Sequence, residues 1–152
     1  MTPMQMYKAF EKKVNMMDIG HGYNHGMSTT VEMLQMRLDS NKRLTLASNF
    51  TISLTEILEC MLFAAEDNAE DMAKWFNSSS IERFTIKYRA ENKIGRILNR
   101  RGEVIEASGI IVVLEKTMNR YGDVDFRIVT EYVFAFSDEK RGLTPLFLFT
   151  NI

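Results

Sequence analysis

Arg83-Phe84-Thr85-Ile86-Lys87-Tyr88-Arg89 decides the fold class. Phe84, Ile86 and Tyr88 alternate with polar or charged neighbours, the period of two that belongs to a strand buried on one face. Upstream of this heptapeptide the apolar residues recur at steps of three and four. Thr2-Pro3 reads as a cap followed by a first-turn proline, and Tyr7, Phe10, Val14 and Met17 predict a helix over 3–18. Thr29-x-x-Glu32 and Ser53-x-x-Glu56 read as capping boxes. The first opens a helix striped by Val31, Leu34 and Leu38, and the second a more apolar one through Ile57, Met61 and Ala65. A shorter helix is expected around Asp71 to Phe76. Downstream, Ile94 to Leu98, Ile110 to Leu114 and Phe126 to Phe136 are β-branched or aromatic runs. The turn-like Asn99-Arg100-Arg101-Gly102 and Tyr121-Gly122-Asp123 separate them. Helices first and strands later predict an α+β fold, with the helical half packed on one mainly antiparallel sheet.

The chain has 152 residues, enough for one domain with a real core, and its 45% hydrophobic and 26% charged residues belong to an ordinary globular protein. Net charge is −1, so the molecule as a whole has no field that draws it onto nucleic acid or an anionic membrane. A single cysteine, Cys60, excludes an internal disulfide and a thiolate metal cage, and reads as a small buried hydrophobe. The uncharged, apolar stretch Leu143 to Ile152 is interrupted by Pro145 and is far short of the ~20 apolar residues of a membrane span. With no secretory pattern at the N-terminus, a reducing, cytoplasmic setting and no membrane partner are expected. Leu146-Phe147-Leu148-Phe149 reads as a last strand or docking segment.

The chemistry concentrates between the helices. His21 and His25, the two histidines of the chain, both fall in Gly20-His21-Gly22-Tyr23-Asn24-His25-Gly26. The third glycine comes one residue late for G-x-G-x-x-G, and a helix rather than a strand precedes it. Gly22 stands where H-E-x-x-H needs its glutamate, and no third ligand is evident, so neither a dinucleotide nor a metal site is indicated. Acid/base work remains, because imidazole titrates near neutral pH. Either histidine could serve. Between Arg83 and Arg101 seven basic residues stand against one acid, Glu91, which makes Lys87, Arg89 and Arg96 candidates for contact with a phosphate backbone. Thr130 and Tyr132, two apart in a strand, share one face about 6.6 Å apart, so both hydroxyls can reach one phosphate.

Taken in order, several pieces resemble the bacterial RNase A-like toxin domains found at the C-termini of contact-dependent growth-inhibition proteins. They are the glycine-histidine loop, the helix with Leu34 and Arg37, Ala47-Ser48-Asn49-Phe50-Thr51, Trp75-Phe76, Gly95-Arg96-Ile97-Leu98, Val112-Val113-Leu114 and Thr130-Glu131-Tyr132. The resemblance runs from about Gly20 to Ala135, leaving residues 1–19 as an N-terminal helix and 137–152 as an extension of a single 1–152 domain. It implies an RNase A-like fold and a ribonuclease that acts without a metal or other cofactor, by attack of the RNA 2′-hydroxyl on its own phosphate. DNA is thereby not a substrate. It implies a cognate immunity protein as a second partner. His25, with His21 as the other choice, Arg37, Thr130 and Tyr132 are the catalytic residues it implies. A catalytically inactive module that holds RNA or a protein on the same fold is the alternative.

Overall fold

The computed structural model describes residues 1–140, so the expected segment at Leu146–Phe149 lies outside the described residues. Helix α1 spans Pro3–Asn15, capped by Thr2, whose hydroxyl accepts from the Gln5 amide while the Gln5 side chain accepts from the Thr2 amide. It stops short of the expected residue 18. Met16 caps it, and Met17 takes φ 58°, a left-handed conformation that an L-residue enters only at a cost and that ends a helix. Helix α2 spans Val31–Ser40, and its cap is Thr30 rather than Thr29. The box expected at Thr29 and Glu32 is therefore displaced by one residue: Met33 stands at its third position, with sulfur 3.5 Å from the Thr30 amide. Helix α3, Leu54–Asp67, opens on the expected Ser53 and Glu56 box, and α4, Ala69–Asn77, follows after Asn68.

Among the described residues six strands form, in two antiparallel sheets of three rather than the one sheet expected. The first sheet orders β1 (Leu46–Phe50), β3 (Gly95–Asn99) and β4 (Val104–Ala107). The second orders β2 (Phe84–Arg89), β5 (Gly109–Met118) and β6 (Val124–Phe134). β1 and β4 are too short and too polar to announce themselves by alternation, and it is they that make β3 the centre of its own sheet. Gly102 at φ 81° and Gly122 at φ 82° close the two expected turns.

Helices α1, α3 and α4 cover the second sheet. Met6, Phe10, Val14, Ile57, Met61 and Met72 pack with Ile86, Ile110, Val112, Leu114, Phe126 and Ile128, all buried. At roughly 1.5–3 kcal/mol per buried large side chain, this is where the stability of the fold resides. Helix α2 is held separately. Leu34 and Leu38 pack on Ala47 and Leu98, fixing α2 against β1 and β3.

One irregularity in β6 positions the site. Val113 pairs with Thr130, but Leu114 pairs with Ile128, so Val129 is the extra residue of a β-bulge. Before it the even-numbered Phe126 and Ile128 are buried; after it the odd-numbered Glu131, Val133 and Ala135 are. Unbroken alternation sends Thr130 and Tyr132 into the core behind Ile128. The bulge turns them to the other face.

Candidate active site

The loop 20–26 lies against β6, and the reason is backbone contact. A Cβ on Gly20 would stand 2.0 Å from the Val129 carbonyl oxygen, and one on Gly22 would stand 1.9 Å from that of Glu131 and 2.6 Å from Thr130 Oγ1. Only glycine allows this approach. Within the loop Gly22–Asn24 makes one short helical turn, with His21 at its start and His25 at its end.

Polar anchors hold the loop from two sides. From β6 the Glu131 carboxylate accepts from the Tyr23 amide at 2.9 Å. From β1 the Phe50 amide donates to the His25 carbonyl at 2.7 Å, and Asn49 Nδ2 donates to the Gly26 carbonyl at 3.2 Å. Asn49 is itself oriented, because Arg96 Nε donates to its Oδ1 at 2.8 Å while Arg96 Nη2 donates to the Thr29 carbonyl at 2.5 Å.

These contacts enclose a cavity of about 360 Å³. His21, His25, Arg37, Thr130 and Tyr132 all line it, and Arg43 and Phe134 lie further along its wall. Arg37 projects from α2, with Nη1 3.3 Å from the Ser48 carbonyl of β1. Burial, then the Arg37 charge, then His21, push the His25 imidazole below its ordinary 6.5, so the ring is neutral at pH 7 and can take a proton. Burial raises the Tyr132 phenol above 10, which keeps its proton available for donation. Burial also lowers Arg37, yet a guanidinium keeps its charge throughout the neutral range. A neutral base, a fixed cation and two hydroxyls thus face one volume, an arrangement suited to an anion that gains charge as it reacts.

The three candidate RNA contacts stand elsewhere. Lys87 places its ammonium over the Phe134 ring, 4.9 Å from the centroid. Arg89 pairs with Asp138 and lies over Phe136. Arg96 is turned inward onto Asn49 and Thr29, so its guanidinium braces the loop instead of presenting a free phosphate contact. None of the three lines the cavity. Among the described residues no group of three His, Cys, Asp or Glu side chains is placed to hold a metal ion, and no helix is long and apolar enough to cross a membrane.

Sequence reasoning missed Glu131 and Asn49. An acid flanked by Val129-Thr130 and Tyr132-Val133 is a signal of sorts, because a charged residue inside an apolar strand needs a reason. Nothing comparable marks Asn49.

Fold and site together define an α+β domain of RNase A-like class. The chain belongs to the bacterial CdiA-CT RNase A domain family, whose model matches residues 20–132. That span begins at the first loop glycine and ends on Tyr132, so all five cavity residues of interest fall within it, whereas α1 precedes it. A chain in the crystal structure of the CdiA-CT/CdiI complex from Y. kristensenii has the same fold, with TM-score 0.63 and 21% identity over 75% of this chain and 98% of that one. No curated protein matches the sequence.

Proposed function

We propose that the protein is a toxin endoribonuclease that cleaves RNA by transphosphorylation, without a metal. The 2′-oxygen attacks the adjacent phosphorus and the bond to the 5′-oxygen breaks, leaving a 2′,3′-cyclic phosphate and a 5′-hydroxyl. His25 removes the 2′-hydroxyl proton, a task suited to an imidazole held neutral, and such proton transfer contributes roughly 10²–10⁴-fold. In this reading His21, at the other end of the same turn and on the same cavity, gives a proton to the departing oxygen. Arg37 matches two phosphate oxygens with its planar fork, and Thr130 and Tyr132 donate to the charge that gathers in the transition state. DNA has no 2′-hydroxyl and is not cut by this route.

The observation that carries this reading is the single cavity shared by His21, His25, Arg37, Thr130 and Tyr132. Family membership supports it and brings the second partner, an immunity protein that neutralises the enzyme. Residues 1–152 work as one domain in this reading, in the cytoplasm of a producing or target cell. The test is incubation of the purified protein with RNA in excess EDTA, with analysis of the new ends. Cyclic phosphate ends in chelator are expected. Cleavage that disappears in EDTA and returns with a divalent ion overturns the metal-free mechanism, and intact RNA under all conditions overturns the nuclease.

A further inference from the structure

Glu131 is fully buried, and no proposed chemical step uses it. Its Oε1 accepts from the Tyr23 amide, while Oε2 has no partner among the described residues. Such a group is costly: an unsatisfied buried polar atom forfeits roughly 1–3 kcal/mol, and more when charged. A glutamine in the same place fills the same space without a charge to bury. The carboxyl sits on the strand that carries Thr130 and Tyr132, in a residue that borders the same cavity, and its hydrogen bond reaches the turn between the two histidines. Gly22 rests on the Glu131 backbone as well, so this one residue meets the loop with both its main chain and its side chain.

We propose that Glu131 is a positioning residue: through the Tyr23 amide its carboxylate sets where the His21–His25 turn stands over Thr130 and Arg37. This rests on the nuclease reading for its kinetic consequence, though not for its structural one. An ionised carboxylate grips an amide N–H harder than a neutral acid does, since charge-assisted hydrogen bonds are the stronger kind. Burial raises this carboxyl from 4.5 to about 7, opposed by the Tyr23 amide alone, so the grip changes in the neutral range. The elements packed on this half of β6 bring few competing charges. Val112 stands opposite Glu131 on β5, whose Glu115 is engaged by Arg127. Lys116 of β5 reaches Ser78 instead, and β1 carries no ionisable residue. The Arg96 guanidinium of β3 is held by Asn49 and Thr29. His21 and His25 flank the turn itself.

The experiment follows the Tyr23 amide and the histidine ring signals by NMR from about pH 5 to 9 in the wild type, Glu131→Gln and Glu131→Ala, alongside cleavage kinetics. In the wild type the Tyr23 amide should titrate with a midpoint near the Glu131 value of about 7. In Glu131→Gln, which keeps an acceptor oxygen, that titration should vanish while kcat at neutral pH stays within about threefold. Glu131→Ala should shift the His25 ring signals and lower kcat about tenfold with KM little changed, the pattern of misplaced catalytic groups. If Glu131→Ala does not fold, the glutamine variant decides on the amide titration alone. A Tyr23 amide insensitive to pH in the wild type, or one that still titrates in Glu131→Gln, overturns the proposal. A folded alanine variant with unaltered His25 signals does the same. Should the wild type cut no RNA while its Tyr23 amide titrates as described, the nuclease reading fails and the positioning role stands.

Discussion

The two halves of β6 share one backbone and do opposite things. Before the bulge at Val129, Phe126 and Ile128 enter the helical core; after it, Thr130 and Tyr132 face the cavity. The first half is held by apolar burial, with Phe126 edge-on to Phe76 and 2% exposed. The second half is bound to the loop mainly by polar contacts and by backbone against glycine. A strand divided in this way keeps stability and chemistry on separate residues, so each half should fail in its own manner.

The largest expected effect tests the core half. Phe126→Ala should cost about 3–5 kcal/mol of stability, read from urea midpoints, while cleavage per folded molecule stays as in the wild type. A loss of activity at full folding would join the two halves and break the comparison. On the other side, His25→Ala should lower cleavage by at least ~10²-fold with the fold intact, and His21→Ala by less, because only the first removes the neutral base. The reverse order moves the base to His21.

Glu131 sharpens the comparison through pH. Its carboxyl is raised from 4.5 to about 7 in the folded chain, which therefore binds a proton that the unfolded chain releases between those values. The stability this contributes is complete below pH 4.5 and lost as pH rises through about 7, a span of up to about 3 kcal/mol. Glu131→Gln should flatten that slope in melting temperatures measured across the range. A slope that Glu131→Gln leaves unchanged would show that the Glu131 carboxyl does not titrate differently in the folded chain. His25 works in the contrary direction: its lowered value makes the folded chain resist protonation, so its contribution is present above 6.5 and falls as pH drops below.

Smaller effects belong to the cavity hydroxyls and the outer basic residues. Thr130→Val and Tyr132→Phe should each reduce kcat about tenfold with little change in urea midpoint, as expected for one donated hydrogen bond. Lys87→Ala should reduce the slope of RNA binding against salt by about one, because one phosphate contact is one released counterion. Arg96→Ala should leave that slope unchanged and disturb the loop instead, because its guanidinium already serves Asn49 and Thr29.

The features that sequence made legible are those with a period or a short-range cap. The Ser53 box, the β2 alternation and the two glycine turns are local statements, decided by residues a few positions apart. Three glycines in seven residues marked 20–26 as a loop where backbone can come close, but that β6 is what it approaches was not legible. What was hidden depends on partners far along the chain. β1 exists because β3 pairs with it, and β3 has its own sheet because β4 lies on its other side. The bulge has no composition of its own, yet it decides which face Thr130 and Tyr132 take. Arg96 shows the same limit for charge. A count of basic residues finds the cluster, but only the fold tells which guanidiniums remain available to a ligand and which are already bound to the protein.

The hydrogen bond from Tyr23 to Glu131 joins residues 108 positions apart. His21, His25 and Arg37 are synthesised before Thr130, Glu131 and Tyr132. Until β6 is made and pairs with β5, the loop lacks the strand that Gly20 and Gly22 rest on, and the cavity lacks Thr130 and Tyr132. A nascent chain therefore carries the histidines without an assembled centre until β6 has emerged, and long-range pairing of this kind is slow to form. The order of the sequence acts as a delay: the cavity cannot assemble until β6 has followed the loop.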